Sequence, residues 1–155
     1  MLYETFKTWI DTFETAVATD DWDAAARMMA DDVRYIVAGS PYACDLRGKT
    51  SVLDGFRHSL TNFDAKFEDR EWRVGNIRLF EPSCVMGTVI GTYTKAGLPP
   101  LRFGVEAQWF FQDGKVSLMT DLYDLSTADV SDALGWIGEH GGPLGLDASY
   151  VPLSV

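Results

Sequence analysis

The hydrophobic positions in the first half of the chain recur mainly at helical spacing. A first helix over roughly residues 3 to 18 is predicted by an apolar face made of Phe6, Trp9, Ile10, Phe13 and Val17. Asp20 or Asp21 can cap a second, short helix, which ends at residues 31–32. The β-branched and aromatic run 33–37 then predicts a strand, and a third amphipathic helix begins after Gly48.

The second half of the chain has the pattern of strands and turns. Four long extended stretches, separated by turn residues, cover residues 67–80, 83–94, 101–112 and 115–125. The Asp113-Gly114 pair between the last two is a strong hairpin signal, so consecutive strands form an antiparallel meander. A last helix is predicted near 128–138, closed by Gly141-Gly142-Pro143.

This order of elements predicts an α+β fold with the helices on one face of the sheet. We expect a curved, mainly antiparallel sheet that forms a cone, with the three N-terminal helices closing a hydrophobic pocket. A single domain over 1–140 is expected, because no linker or repeat divides it. Residues 141–155 are expected to form a tail that packs either on this domain or on a dimer partner.

The net charge and the sequence motifs restrict the classes of partner and cofactor that we expect. The 155 residues include 13 basic and 23 acidic side chains, and the net charge of −10 repels phosphate backbones and anionic lipid heads. We therefore expect neither nucleic acid nor a membrane as a partner. The absence of a signal peptide and of a disulfide or zinc pattern among the two cysteines predicts a cytoplasmic protein. No phosphate-binding glycine loop, GxSxG elbow or HExxH helix occurs, so no cofactor and no metal are implied.

Two stretches of the sequence resemble a known superfamily. The run Asp20-Asp21-Trp22-Asp23-Ala24-Ala25-Ala26-Arg27-Met28-Met29-Ala30-Asp31-Asp32-Val33, followed by Gly48 opening a helix, resembles the nuclear-transport-factor-like cone fold. The stretch from Asp113-Gly114-Lys115-Val116 to Asp121-Leu122-Tyr123-Asp124 does so too. The superfamily includes ketosteroid isomerases, scytalone dehydratases, limonene epoxide hydrolases and SnoaL-like polyketide cyclases, so the resemblance implies the fold better than the reaction.

The resemblance to ketosteroid isomerases implies that part of their catalytic set is missing. Phe13 falls where that family has its oxyanion-hole tyrosine, and Val37 falls where it has its base. Glu106 falls where the family keeps a protonated acid, a role that an apolar pocket supports by raising the pKa of a carboxyl.

The other relatives imply an incomplete match as well. In limonene epoxide hydrolases Asp121 would take the place of one catalytic aspartate, whereas Thr88 and Ile90 stand where the arginine and the other aspartate belong. Scytalone dehydratases need two pocket histidines, and the only histidines of this chain, His58 and His140, are not on predicted strands. His58 is expected on the surface.

The stretch 101–112 has one polar and one apolar side, because alternate residues of a strand share a face. Arg102, Glu106 and Gln108 lie on the polar side, and the apolar side carries Phe103, Val105, Ala107, Trp109 and Phe111. Either the apolar side packs the core and the polar side faces solvent, or the polar side lines the pocket and Trp109 and Phe111 form a dimer interface. The resemblance favours the second interpretation.

The hairpin makes the strand that carries Asp121 the neighbour of the strand that carries Glu106. Two carboxyls in one pocket can titrate as a coupled pair, so our hypothesis is that Asp121 is the ionised base and Glu106 the protonated donor. Arg102 can instead hold Glu106 as a simple ion pair, which removes the acid role. Met119 shares a strand face with Asp121, and Thr88 and Gln108 complete the expected polar lining.

Aromatic residues are expected to form the pocket wall, although such stripes also occur in ordinary cores. The expected wall residues are Trp9, Phe13, Tyr35 and Phe56. The Tyr35 hydroxyl needs a partner if it is buried, and a ligand oxygen or Asp121 can supply one. Cys44 is expected to be an inert thiol near the cone mouth.

These observations predict a homodimeric, SnoaL-like enzyme without a cofactor. We expect acid/base isomerisation, dehydration, cyclisation or hydrolysis of a small hydrophobic molecule that carries oxygen. The competing interpretation is a non-catalytic module of the same fold that binds a small ligand or assembles with a partner.

Overall fold

A computed structural model describes residues 1–39 and 43–150. The helices are α1 (Leu2–Thr19), α2 (Asp23–Met28), α3 (Lys49–Asn62) and α4 (Ala128–Leu144), with a 3-10 turn at Asp64–Lys66. The strands are β1 (Met29–Ala38), β2 (Cys44–Arg47), β3 (Asp69–Phe80), β4 (Cys84–Thr94), β5 (Leu101–Gln112) and β6 (Lys115–Leu122). They form one sheet in the order β2-β1-β6-β5-β4-β3, in which only the β1–β6 pair is parallel. The predicted α+β class and the mainly antiparallel sheet are confirmed.

The inner face of the sheet packs against α1 and α3. On β5 the residues Phe103, Val105 and Ala107 are buried, and the alternate residues Arg102 and Glu106 are exposed. Along α1 the buried residues recur at helical spacing, as Leu2, Phe6, Trp9 and Ala16. The core is therefore one layer between the helices and the concave side of the sheet.

The boundaries differ from the sequence-based prediction at several places. The second helix ends at Met28, because the fully buried Met29 pairs with β6 and begins β1. The short strand β2 was not predicted, and it pairs antiparallel with β1. The helix α4 continues to Leu144, where Gly145 ends it in the left-handed conformation at φ 64°.

The residues proposed for a dimer interface lie inside the protein. Trp109 and Phe111 are each 7% exposed, and Trp109 packs against Phe6 of α1. The expectation that they form an exposed apolar patch is therefore wrong. The tail is described as far as Tyr150 and lies against α3, where the Asp147 amide donates to the Asn62 carbonyl. The predicted tail residues 151–155 lie outside the described residues.

Candidate active site

A cavity of about 330 Å³ lies between the helices α1 and α3 and the inner face of the sheet. Of the residues expected at the site, it is lined by Trp9, Phe13, Tyr35, Phe56, Met119 and Asp121. The exposed lining residues Tyr3, Lys7, Asp11 and Ile77 all belong to α1 or β3, so the cavity opens to solvent between these two elements. Nearly half of its lining residues are aromatic, as expected for a site that takes a hydrophobic ligand.

The carboxyl of Asp121 and the hydroxyl of Tyr35 meet in this cavity. The Tyr35 hydroxyl donates to Asp121 Oδ2 at 2.5 Å. The parallel pairing of β1 with β6 sets Val37 opposite Asp121, and Tyr35 lies two residues earlier on the same face. Among residues 1–39 and 43–150, no donor contacts Asp121 Oδ1.

The surroundings of Asp121 favour its protonated form. Burial raises the pKa of Asp121 from 3.8 to about 6, and the hydrogen bond from Tyr35 lowers this pKa in part. A carboxyl with a pKa near 6 is ionised at neutral pH and is a stronger base than an ordinary aspartate.

Three further titratable groups surround Asp121. The Tyr150 hydroxyl lies 3.3 Å from the Tyr35 hydroxyl, and burial raises the pKa of both phenols above the ordinary value for tyrosine. Burial also raises the pKa of the Cys44 thiol to about 11, with a smaller contribution from the charge of Asp121. All three groups are therefore neutral at neutral pH, and Cys44 is not a thiolate nucleophile.

The second predicted carboxyl is not in the cavity. Glu106 lies on the outer face of the sheet with its side chain 48% exposed; it accepts a hydrogen bond from Thr88 Oγ1 and pairs with Arg78. Arg102 is exposed on the same face, and Gln108 accepts a hydrogen bond from Thr120 there. The prediction that Arg102, Glu106, Gln108 and Thr88 line the pocket is therefore wrong, as is the alternative ion pair between Arg102 and Glu106.

A β-bulge explains this error. The hairpin pairs Phe111 with Val116, but the next pair is Phe110 with Leu118, so Ser117 is an extra residue in β6. Without the bulge the register would set Glu106 opposite Asp121; with it, Ala107 lies opposite Asp121. A shift of one residue moves a side chain to the other face of the sheet. Asp121 consequently points inward and Glu106 points outward.

A second polar cluster lines the cavity and was not predicted. Arg70 Nε lies 2.7 Å from Asp64 Oδ2, in a position too poorly aligned for a hydrogen bond, and the guanidinium also contacts both carboxylate oxygens of Glu14. Trp72 Nε1 donates to the Tyr93 hydroxyl, which donates to Asp64. Burial raises the pKa of Asp64 to about 6, although Arg70 lowers this pKa.

The sequence carried a signal for part of this cluster. Arg70, Trp72 and Val74 alternate along β3 and share its inner face. Asp64 follows α3 in the 3-10 turn, where the sequence pattern gave no indication of an inward side chain. In residues 1–39 and 43–150, no three His, Cys, Asp or Glu side chains are arranged to hold a metal ion. None of the helices in these ranges has the length and apolar character to cross a membrane.

Comparison with known proteins identifies the family. The family model for the SnoaL-like domain matches residues 10–119, which is more than half of the chain. The protein therefore belongs to the SnoaL-like domain family. No curated protein matches the sequence closely enough to count as a relative.

Solved structures share the fold at low sequence identity. An NTF2-like protein from Anabaena variabilis has a TM-score of 0.63 at 13% identity, over 77% of this chain and 87% of that one. An LEH-like epoxide hydrolase from M. tuberculosis has a TM-score of 0.60 at 18% identity, over 88% and 94%. A proposed polyketide cyclase from Xanthomonas campestris has a TM-score of 0.51 at 20% identity, over 84% and 99%. These similarities support the predicted cone fold.

Proposed function

We propose that the protein is a small-molecule enzyme in which Asp121 acts as a general base within the cavity. Its substrate is a small hydrophobic compound that carries an oxygen function, and the reaction is an isomerisation, dehydration, cyclisation or hydrolysis that begins with proton removal. The observation that carries this proposal is the Asp121 carboxylate, held by Tyr35 in an apolar cavity with its pKa raised to about 6.

Asp121, Tyr35 and the aromatic wall have separate roles in this proposal. Asp121 Oδ1 takes the proton from a carbon acid or from water, and Tyr35 orients the carboxylate through Oδ2. The aromatic wall holds the apolar body of the substrate and excludes water, which strengthens electrostatic interactions inside the cavity. The similar folds of an epoxide hydrolase and a proposed polyketide cyclase support an enzymatic role of this general type.

A general proton-transfer probe tests the proposal without knowledge of the substrate. Nitrobenzisoxazole is a small aromatic compound; a base removes its ring C–H proton, the N–O bond breaks, and a nitrile and a coloured phenolate form. We expect turnover that rises with pH to a plateau with a midpoint near 6. Asp121→Asn should reduce the rate by about 100-fold or more.

Glu106→Gln is the matched control, because it removes a carboxyl from the outer face of the sheet. It should leave the rate unchanged. Equal activity of the Asp121→Asn variant and the parent would refute the general base.

The competing function is a ligand-binding module. The outward position of Glu106 favours it, because the cavity then lacks the second carboxyl of the predicted acid/base pair. A binding module would retain a hydrophobic ligand with equal affinity in the parent and in Asp121→Asn, and neither would turn over the probe.

We also propose a homodimer, which forms through a different surface from the one that the sequence predicted. Ile90 is 41% exposed and Leu122 is 40% exposed on the outer face of the sheet, and the half-buried Phe110 and Leu118 lie further along the same face, beyond Gln108 and Thr120. A second copy that covers this face would bury these apolar side chains. Sedimentation at micromolar concentration should show a dimer that Leu122→Lys dissociates; a stable monomer of the parent would refute it.

A further inference from the structure

The residues 146–150, which we call the C-terminal strap, return from the end of α4 to the cavity. The Leu146 amide donates to Gly141 at 3.0 Å, and the Asp147 amide donates to Asn62 at the end of α3 at 3.1 Å. Ala148 and Tyr150 then line the cavity. The strap lies outside the stretch 10–119 that matches the family model.

A histidine of α3 holds the strap in place. His58 Nε2 lies 3.1 Å from Asp147 Oδ2, and the Asn62 amide nitrogen lies 3.2 Å from His58 Nδ1. Because the Asn62 amide nitrogen is a donor, Nδ1 is the acceptor and Nε2 carries the proton that His58 donates to Asp147. Asp147 Oδ1 in turn accepts from the Ser149 amide at 2.9 Å, which fixes the turn that leads to Tyr150.

The packing of α3 also accommodates the strap. Gly55 faces it, and a Cβ atom at this position would lie 3.3 Å from the Tyr150 carbonyl oxygen and 2.3 Å from Leu46 Cδ1. The Tyr150 ring packs edge-on against the Tyr35 ring with 5.3 Å between centroids. The glycine therefore allows the strap to approach closely enough for the two phenols to meet.

The hydrogen-bond directions around Tyr35 follow from its single hydroxyl proton. The Tyr35 hydroxyl has one proton and two oxygen neighbours, Asp121 Oδ2 at 2.5 Å and the Tyr150 hydroxyl at 3.3 Å. With this proton on the shorter contact to Asp121, Tyr35 has none left for Tyr150, and the Tyr150 hydroxyl takes the donor role toward the Tyr35 oxygen. A phenol that accepts a hydrogen bond becomes a stronger donor, because linked hydrogen bonds polarise one another. Tyr150 thus strengthens the bond by which Tyr35 orients Asp121.

We propose that Tyr150 is a positioning residue of the active site. The contact between His58 and Asp147 holds the C-terminal strap so that Tyr150 reaches the cavity. The inference rests on the proposed function. In it, Tyr150 acts through Tyr35 on the Asp121 carboxylate, and its ring completes the cavity wall on the side of α3.

The test compares Tyr150→Phe and His58→Ala with the parent in two assays, nitrobenzisoxazole turnover and NMR titration of the Asp121 carboxyl carbon. Tyr150→Phe keeps the ring and removes the hydroxyl. We expect kcat to fall about threefold to tenfold with little change in KM, and the Asp121 midpoint to rise by roughly 0.3 to 0.6 of a pH unit. His58→Ala should reproduce both effects, because it releases Asp147.

His140→Ala is the matched control, since His140 contacts Trp136 and Glu139 on α4 rather than the strap. It should change neither assay, and circular dichroism confirms that each variant is folded. Parent-like kcat and parent-like titration in Tyr150→Phe would overturn the inference. If the parent lacks turnover, the proposed function fails, but the titration still decides the role of Tyr150: a raised midpoint supports it and an unchanged midpoint overturns it.

Discussion

Asp121 and Tyr35 are 86 positions apart in the sequence, yet their side-chain oxygens lie 2.5 Å apart in the wall of the cavity. The parallel β1–β6 pair produces this contact, because it sets Val37 beside Asp121 and leaves Tyr35 on the same face. The phenol supplies a hydrogen bond to a carboxylate that has lost most of its water. The chemistry that we propose depends on this pair.

Loss of the Tyr35 hydroxyl should destabilise the ionised form of Asp121 relative to the protonated form. The hydrogen bond from Tyr35 lowers the pKa of Asp121, so Tyr35→Phe should raise that pKa further above 6. A hydrogen bond to a charged group contributes roughly 1.5–3 kcal/mol, which corresponds to an upward shift of about one to two pH units. The pH–rate profile of probe turnover measures the shift. A midpoint that is unchanged or lower would show that Tyr35 does not stabilise the carboxylate.

Asp121 should decrease stability at neutral pH. Its pKa is higher in the folded protein, about 6, than the ordinary value of 3.8, so the folded state binds more protons between these values. Stability therefore falls as pH rises from about 4 through 6 and is level above that range. Asp121→Asn should remove the part of this dependence that Asp121 contributes, leaving that of Asp64, whose pKa is also about 6, and should increase the free energy of unfolding at pH 8 by up to about 3 kcal/mol. Urea denaturation at pH 5 and pH 8 measures both; a destabilised Asn variant at pH 8 contradicts the prediction.

Removing only one partner of the buried ion pair between Asp64 and Arg70 should destabilise the protein. Arg70→Met leaves the Asp64 carboxyl uncompensated, and we expect a loss of about 3–5 kcal/mol at pH 8. Because Arg70 lowers the pKa of Asp64, the variant should lose stability more steeply than the parent as pH rises above 6. The double variant with Asp64→Asn should recover most of the loss. Additive losses in this double-mutant cycle would show that the two groups do not interact.

Gly55 provides a structural prediction about the strap. Gly55→Ala should cost about 1 kcal/mol net, because crowding against Leu46 and the strap outweighs the higher helix propensity of alanine. Gly135→Ala is the control on α4: Gly135 is exposed, and apart from its chain neighbours and the backbone of its own helix, no described atom lies within 4 Å of an added Cβ. It should stabilise the protein by about 0.5–1 kcal/mol. The melting temperatures of the two variants measure these effects. Equal melting temperatures would contradict the packing of the strap on α3.

The sequence pattern predicts the architecture well, because periodicity reports burial directly. It gives α1, α3 and the four-stranded meander, and it places Asp121, Met119 and Tyr35 on faces that do line the cavity. It misassigns Glu106, because alternation within one strand does not reveal the bulge at Ser117 in the next.

Two polar features of the site depend on tertiary structure alone. Asp64 is directed inward from a 3-10 turn, and Tyr150 reaches the cavity only because α4 returns the chain to α3. Neither position follows a period of two or of 3.6 residues, so no local pattern marks it.

The proposed proton transfer depends above all on the environment of one carboxyl, which an NMR titration of the Asp121 carboxyl carbon reports. The signal is assigned by its absence in Asp121→Asn. We expect a midpoint near pH 6 in the parent protein. A midpoint at or below the ordinary aspartate value of 3.8 would contradict it, because the carboxylate would then be hydrated and no stronger a base than one on the surface.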